Sequence, residues 1–345
     1  TCSSSDKSEH ASTPAPPLTQ VVKAYREGDF QAGVAVVLYK HDYADLDELG
    51  TKLTALLNRL VAINVNAVSL DWPIYTGGLY SSQIFRGIGT PEDAAIAEFI
   101  DKARQRGLAV MLRPILDEHS IILSGKTEWR GTIKPANVAT WFQQYGALIE
   151  EYADLAQVHH AELFDVGSEF TSMEQYTSHW SDLVHHVRQR FKGAVTYSSN
   201  RYISTHIPWD DFDFISVDAF FELQTPMIAD VNTIQHAWEK WRDPLLEKAA
   251  SLGKPLVFTE LGSASQQGAH RKAWSWDHTS PVDLEDQRAY YQASCNVWST
   301  HLDGIYWWAA NIWQPAEPLQ DTGFNPLEKP AQDVLFNCFT SRETN

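Results

Sequence analysis

A chain of 345 residues that is 43% hydrophobic and 21% charged carries enough apolar side chain to bury one large core. Its 27 basic and 44 acidic side chains leave a formal net charge of -17, which repels nucleic acid and anionic lipid and makes a neutral partner the better fit. No apolar run reaches the length that spans a bilayer.

Thr1 to Pro17 is Ser, Thr, Pro, Ala and charge with nothing to bury, so residues 1–18 are expected to form a flexible tether and residues 19–340 the folded unit. Cys2 heads the tether and is followed by Ser3-Ser4-Ser5-Asp6. That start resembles a mature bacterial lipoprotein. The resemblance implies acylation at Cys2, membrane attachment through that lipid alone, and an extracytoplasmic place at the cell surface or in the periplasm. An incidental cysteine in a tail is the alternative. Cys295 and Cys338 fall in the last two expected helices, where a disulfide and two buried thiols are both compatible with the sequence.

Gly33 to Tyr39 is a first apolar strand, and from Leu46 to Val61 the positions Leu49, Leu53, Leu56, Leu57 and Leu60 recur at helical spacing. Ala67 to Trp72 is strand two. Thr90-Pro91-Glu92-Asp93 opens helix two with a cap, a proline at the first helical position and acids in the first turn, and Gly107 closes it. Leu108 to Ile115 is strand three and carries Arg113; a long loop with Asp117, Glu118, His119, Trp129 and Arg130 leads to helix three, Asn137 to Gln157. Strand four begins at Leu163 and runs into Glu169, Met173 to Phe191 is helical, and Ala194 to Asn200 is strand five. A short, weakly helical connection follows before strand six, Phe212 to Phe221, with Asp218 near its end. A helix over Asn232 to Leu252 precedes strand seven, Pro255 to Gly262, which carries Glu260. After a loop rich in Gly, Ser, Trp and His come a helix from Leu284 to His301, strand eight from Gly304 to Ala309, and a closing segment from Ala331 to Phe339.

Eight alternating units with near-continuous apolar strands predict a parallel sheet closed into a single (β/α)8 TIM barrel. An open doubly wound sheet is disfavoured, because no phosphate-type glycine loop follows the first strand. In a barrel the strand ends gather on the C-terminal rim, placing there Asp71, Trp72, Arg113, Glu169, Asn200, Asp218 and Glu260. Trp307 and Trp308 end strand eight, and alternation turns only one of them inward. A single polar strand end usually just enters solvent; together these supply acid, base, hydrogen-bond donors and a stacking face. Trp308 is taken as the platform under a sugar ring, with Trp72, Trp129, Trp274, Trp276 and Trp313 for flanking subsites and core packing as the alternative for each.

Arg113-Pro114, Trp129-Arg130-Gly131, Asp165-Val166-Gly167-Ser168-Glu169-Phe170, Tyr197-Ser198-Ser199-Asn200, the stretch Asp213 to Asp218, Thr259-Glu260-Leu261-Gly262 and Tyr306-Trp307-Trp308 follow one another along the chain. On these motifs the sequence resembles the large clan of retaining barrel glycoside hydrolases, and within it glycoside hydrolase family 113, known for β-mannanases. The resemblance implies Glu169 as acid/base, ending strand four, and Glu260 as nucleophile, ending strand seven. It implies endo-β-1,4-mannanase action on a β-linked oligo- or polysaccharide by double displacement. Retention sets about 5 to 5.5 Å between the carboxyl groups. The clan's usual Asn before the acid/base is Ser168 here, so the donor to the sugar 2-hydroxyl passes to Asn200 or Arg113. A partly apolar setting and the charge of Glu260 are expected to raise the pKa of Glu169, and Arg113 to help keep Glu260 ionised.

Other β-glycans, such as β-glucan, xylan or another hexoside, are alternative substrates. A non-catalytic surface glycan-binding lipoprotein is the rival class, though a binder has no need of both glutamates. His159-His160 and His185-His186 lack a third ligand at metal spacing, and Ser168, Ser198 and Ser199 lack the glycine-flanked turn of a serine nucleophile. No cofactor and no metal are expected, and the protein is expected to be a monomer.

Overall fold

The computed structural model describes residues 26, 28–122, 127–277 and 279–343. The expected tether, residues 1–18 with Cys2, lies outside the described residues. From Gln31 onward the elements are β1 (Gln31–Val37), α1 (Leu46–Ala62), β2 (Ala67–Thr76), β3 (Ile84–Phe85), α2 (Asp93–Arg104), β4 (Ala109–Leu116), α3 (His119–Ile122) and α4 (Val138–Val158). They continue with β5 (Leu163–Ser168), α5 (Thr177–Arg190), β6 (Ala194–Asn200), β7 (Ile215–Asp218), α6 (Val231–Leu252), β8 (Leu256–Leu261), α7 (Leu284–Trp298), β9 (Gly304–Asn311) and α8 (Pro330–Glu343). Eight of the strands pair in parallel round a ring, β1-β2-β4-β5-β6-β7-β8-β9 and back to β1, which closes a TIM barrel. β3 stands outside the ring, antiparallel to the end of β2. Between β6 and β7 a single 3-10 turn, Trp209–Asp211, takes the place of a helix, where the sequence is weakly helical.

The helices bury the stripes their spacing indicates. On α1, Leu49, Leu53, Leu56, Leu57 and Leu60 are all buried against the barrel, each contributing about 1.5 to 3 kcal/mol of hydrophobic stabilisation, and Asp45 caps the first turn by accepting from the Glu48 amide. Helix α2 starts later than expected, with Glu92 as its N-cap. Thr90 is not the cap: its hydroxyl accepts from the Gly87 amide at 2.9 Å and donates to the Pro73 carbonyl at 2.7 Å, tying the segment before α2 to β2. Cys295 on α7 and Cys338 on α8 form a disulfide, with their Cα atoms 6.1 Å apart, which decides between the two sequence alternatives.

Inside the ring the filling changes with height. Near the N-terminal ends of the strands Ala67, Ala109, Met111, Leu163, Val257 and Tyr306 pack into an apolar plug. Gly33 makes room for the Tyr306 ring, since a Cβ there would stand 2.5 Å from it, and the Tyr306 hydroxyl donates to Gln31 Oε1 at 2.8 Å. Further along the strands the residues become polar yet stay buried: Ser69, Asp71, Arg113, Asp165, Ser198, Ser216, Asp218 and Thr259. That charged layer is the underside of the rim.

Candidate active site

Three strands reach the rim through irregular pairing, among them β9, whose register with β1 shifts after Trp307. The β5–β6 register shifts between Asp165 and Ser168, and β8 is out of step with β7 after Val217 and with β9 after Phe258. Each irregularity falls where a strand leaves the barrel, the usual place for a bulge that re-aims a side chain. On β8, strict alternation would turn Thr259 and Glu260 to opposite faces. Instead both meet the same buried charges: Thr259 Oγ1 donates to Asp218 Oδ1 at 2.9 Å, and Glu260 Oε1 lies 3.1 Å from Arg113 Nη2. At the end of β5, Glu169 takes a left-handed backbone with φ +57°, a conformation that costs a non-glycine residue about 1 kcal/mol, and its amide donates to the Ser198 carbonyl at 2.8 Å.

Arg113 is the hub beneath the rim. Only 1% exposed, it sits 3.3 Å from Asp71, 3.0 Å from Asp165, 3.1 Å from Asp218 and 3.1 Å from Glu260. Hydroxyls complete the network: Ser198 donates to Asp165 at 2.5 Å, Ser168 to Asp218 at 2.7 Å, and Ser69 to Asp71 at 3.0 Å. A second cation, Arg130, serves Glu169. Its Nη1 donates to Glu169 Oε2 at 2.8 Å, while Nη2 lies 3.3 Å from Glu118 and Nε donates to the Leu116 carbonyl at 3.0 Å. Asn200 Nδ2 donates to the other oxygen, Glu169 Oε1.

These surroundings shift the carboxyl groups. Burial pushes Glu169 up to about 7, against the pull of Arg130, with Asp218 and Glu118 adding to the rise. Glu260 is also raised well above the ordinary glutamate value, by burial first and the charge of Asp218 second. Arg113 does act in the expected direction and favours the ionised form of Glu260. The contact is present, but Arg113 is shared among four carboxylates and does not outweigh the loss of water. Glu169 in turn contributes to the rise at Glu260, so the two rim glutamates titrate as a linked pair. Asp71 and Asp165 are pushed up as well, to about 7 and about 6, again chiefly by burial.

Glu169 and Glu260 open into one cleft of about 580 Å³, with Asn200, Trp129, Trp274 and Trp308 on its walls. Trp307 turns away from it and stacks on Tyr291, ring centroids 4.3 Å apart, so Trp308 is the member of the pair that faces the cleft. Trp276 and Trp313 line an adjoining pocket of about 300 Å³ that shares Trp308 with the main cleft. Gly262 is required beside this wall, because a Cβ there would overlap the Trp308 carbonyl oxygen. Trp72, expected at a flanking subsite, is instead 1% exposed and packs edge-on against Tyr152, since alternation along β2 turns it away from the face that carries Asp71. Arg113 and Asp218, expected to touch substrate, lie buried under the cleft floor and act on the glutamates from below. Arg130 and Arg201 are cleft residues to which sequence reasoning gave no role; only the Trp129-Arg130-Gly131 motif pointed near them. Among the described residues no cluster of His, Cys, Asp and Glu is arranged to hold a metal ion.

A closed parallel barrel whose fourth and seventh strands end in glutamates, both facing one tryptophan-walled cleft, defines a glycoside hydrolase. The chain belongs to glycoside hydrolase family 113, which matches residues 49–329. Among solved structures it is similar to the family 113 β-mannanase AaManA from Alicyclobacillus acidocaldarius in complex with ManMIm, with 24% identity, a TM-score of 0.76, and 91% of this chain and 98% of that one covered. A family 113 β-1,4-mannanase complex matches at 22% identity and TM-score 0.76, over 91% of this chain and 99% of that one. The family 5 mannosidase from Rhizomucor miehei is more distant, at 10% identity and TM-score 0.60, over 92% and 94%. No curated protein matches the sequence significantly.

Proposed function

We propose that the chain is a retaining endo-β-1,4-mannanase in which Glu260 is the nucleophile and Glu169 the acid/base. The observation that carries the reading is the pair itself: two rim glutamates in one cleft, one bound to a buried arginine from below and the other held at the wall by Arg130 and Asn200. In the first step a Glu260 oxygen bonds to the anomeric carbon as the glycosidic carbon–oxygen bond breaks, and Glu169 passes its proton to the departing oxygen. In the second, Glu169 takes a proton from water, the water oxygen bonds to the anomeric carbon, and the Glu260 ester bond breaks. Burial supports the acid role, because a carboxyl raised to about 7 keeps its proton near neutrality. Trp308 offers the ring face for the reacting sugar. The acidic chain suits an uncharged polymer, and the family 113 enzymes it resembles are β-mannanases.

Reducing-sugar release from soluble β-mannan, glucomannan, β-glucan and xylan tests this, using the unaltered enzyme beside Glu169→Ala and Glu260→Ala. Mannan is expected to be the best substrate, with long oligosaccharides as early products. Azide is expected to give a β-glycosyl azide with Glu169→Ala and an α-glycosyl azide with Glu260→Ala. Preference for another polymer refutes the mannan reading; retention of mannan without turnover points to the binding-lipoprotein class.

The reading extends to location. Cys2 and its Ser-rich tether support a lipid-anchored protein on the extracytoplasmic side, and the Cys295–Cys338 disulfide is at home in an oxidising compartment. Fatty-acid labelling that Cys2→Ser abolishes is the expected result.

A further inference from the structure

Asn200 and Arg201 stand where β6 reaches the rim. Arg201 has a left-handed backbone, φ +59°, and its amide donates to the Asp218 carbonyl at 3.1 Å. Its Nε donates to Asn200 Oδ1 at 3.0 Å, while Asn200 Nδ2 donates to Glu169 Oε1. A carboxamide has one accepting end and one donating end. With a cation on the accepting end, the donating end is the one left for the glutamate. The Arg201 guanidinium also lies over the Trp274 ring, 4.5 Å from its centroid. Trp274 sits in the loop between β8 and α7, is 38% exposed, and shares the cleft wall with Arg201.

We propose that Arg201 is a positioning residue for the acid/base: it fixes the orientation of the Asn200 amide on Glu169 and, through its stack on Trp274, links that orientation to the sugar-binding wall. The proposal rests on the reading of Glu169 as acid/base. The charged groups acting on Glu169 are Arg130, with Glu118 behind it, from the segment after β4; Asp218 from β7; and Glu260 from β8. Arg130 serves Oε2, so loss of Arg201 leaves that ion pair in place and disturbs only the Oε1 side.

The test uses Arg201→Ala, Arg201→Gly, Trp274→Ala and Glu169→Ala on two substrates: a manno-oligosaccharide, whose leaving group needs a proton, and a dinitrophenyl mannobioside, whose leaving group needs none. Arg201→Gly is included because glycine suits the backbone at this position, and thermal unfolding checks that every variant is folded. For both Arg201 variants kcat/KM on the oligosaccharide is expected to fall about 10- to 100-fold, with a change of about threefold or less on the dinitrophenyl substrate. The alkaline limb of the oligosaccharide profile is expected to move up by about half a pH unit or more, since a lost hydrogen bond and a lost cation both favour the protonated acid. Trp274→Ala is expected to move the limb in the same direction while raising KM. If Glu169→Ala lowers kcat/KM equally on both substrates, the acid/base reading itself falls. If Glu169→Ala spares kcat/KM on the dinitrophenyl substrate but folded Arg201 variants keep their rate and limb, or lose equally on both substrates, the Arg201 proposal alone is overturned. A Trp274→Ala effect confined to KM removes the link to the wall.

Discussion

Arg113→Met is the perturbation that probes the buried charge layer most directly. The substitution keeps a long apolar stem and removes a guanidinium that lies 3.0 to 3.3 Å from four carboxylates. At an effective dielectric of about 20, one such contact is roughly 5 kcal/mol of gross attraction. Desolvation offsets most of that, and breaking a buried ion pair from one side costs about 3 to 5 kcal/mol net. For a chain of this size the loss is a fall in Tm of about 4 to 7 °C. The pH dependence carries the stronger test. Asp71 and Asp165 have folded pKa values raised to about 7 and about 6 from 3.8. Folding therefore favours their protonated forms; this contribution is fully present below the unfolded value near 4 and is lost as pH climbs through 6 to 7. Arg113 lowers both values, so its removal raises them further and extends the loss to higher pH. The deficit of Arg113→Met against the unaltered protein is thus expected to be small at pH about 4 and to grow toward pH about 8. Urea unfolding across that range, read by tryptophan fluorescence, measures it. A variant as stable as its parent at pH about 8, or a deficit that does not change with pH, would refute the reasoning.

Two further predictions concern the rim. Glu169 is raised to about 7, and on the reading of it as the acid kcat/KM on mannan is expected to fall as pH rises through about 7, with an acid limb above the ordinary glutamate range because Glu260 is also raised. A bell-shaped profile measured on mannan checks both limbs, and activity rising steadily to pH about 9 contradicts the assignment. Gly262→Ala forces a Cβ into the Trp308 carbonyl and is expected to lower kcat/KM on mannan about tenfold or more with the protein still folded, by shifting the wall under the sugar; unchanged kinetics would show that this wall does not hold substrate.

The barrel was legible because eight apolar strand segments and the helical leucine spacing of α1 repeat a simple rule, and the short link before β7 could be read from its lack of helical pattern. What the alternation rule could not show is what departs from it. The irregularities in β5 and β8 leave no signature in composition, yet they set the directions of the rim glutamates. Strict alternation also misled in the other direction, since Trp72 beside an inward Asp71 belongs to the outer face and so to the core. Arg130 lies 39 residues from Glu169 in sequence, on a loop with no period, and only the folded chain brings them together. The disulfide was undecidable for the same reason, its cysteines lying on two helices whose adjacency the sequence does not state.

Glu169 stands on a left-handed backbone, buried, with both oxygens held in place. The first two of those conditions work against the native state, since a glycine would sit there without strain and bring no carboxyl group out of water, and the contacts with Arg130 and Asn200 offset that cost. On the reading of Glu169 as acid/base, the residue that makes the cleft a catalyst is one the fold holds only through its partners Arg130 and Asn200. On the same reading, a descendant freed from the need to cleave its polymer could lose turnover through one substitution at this position and keep its tryptophan wall as a sugar-binding surface.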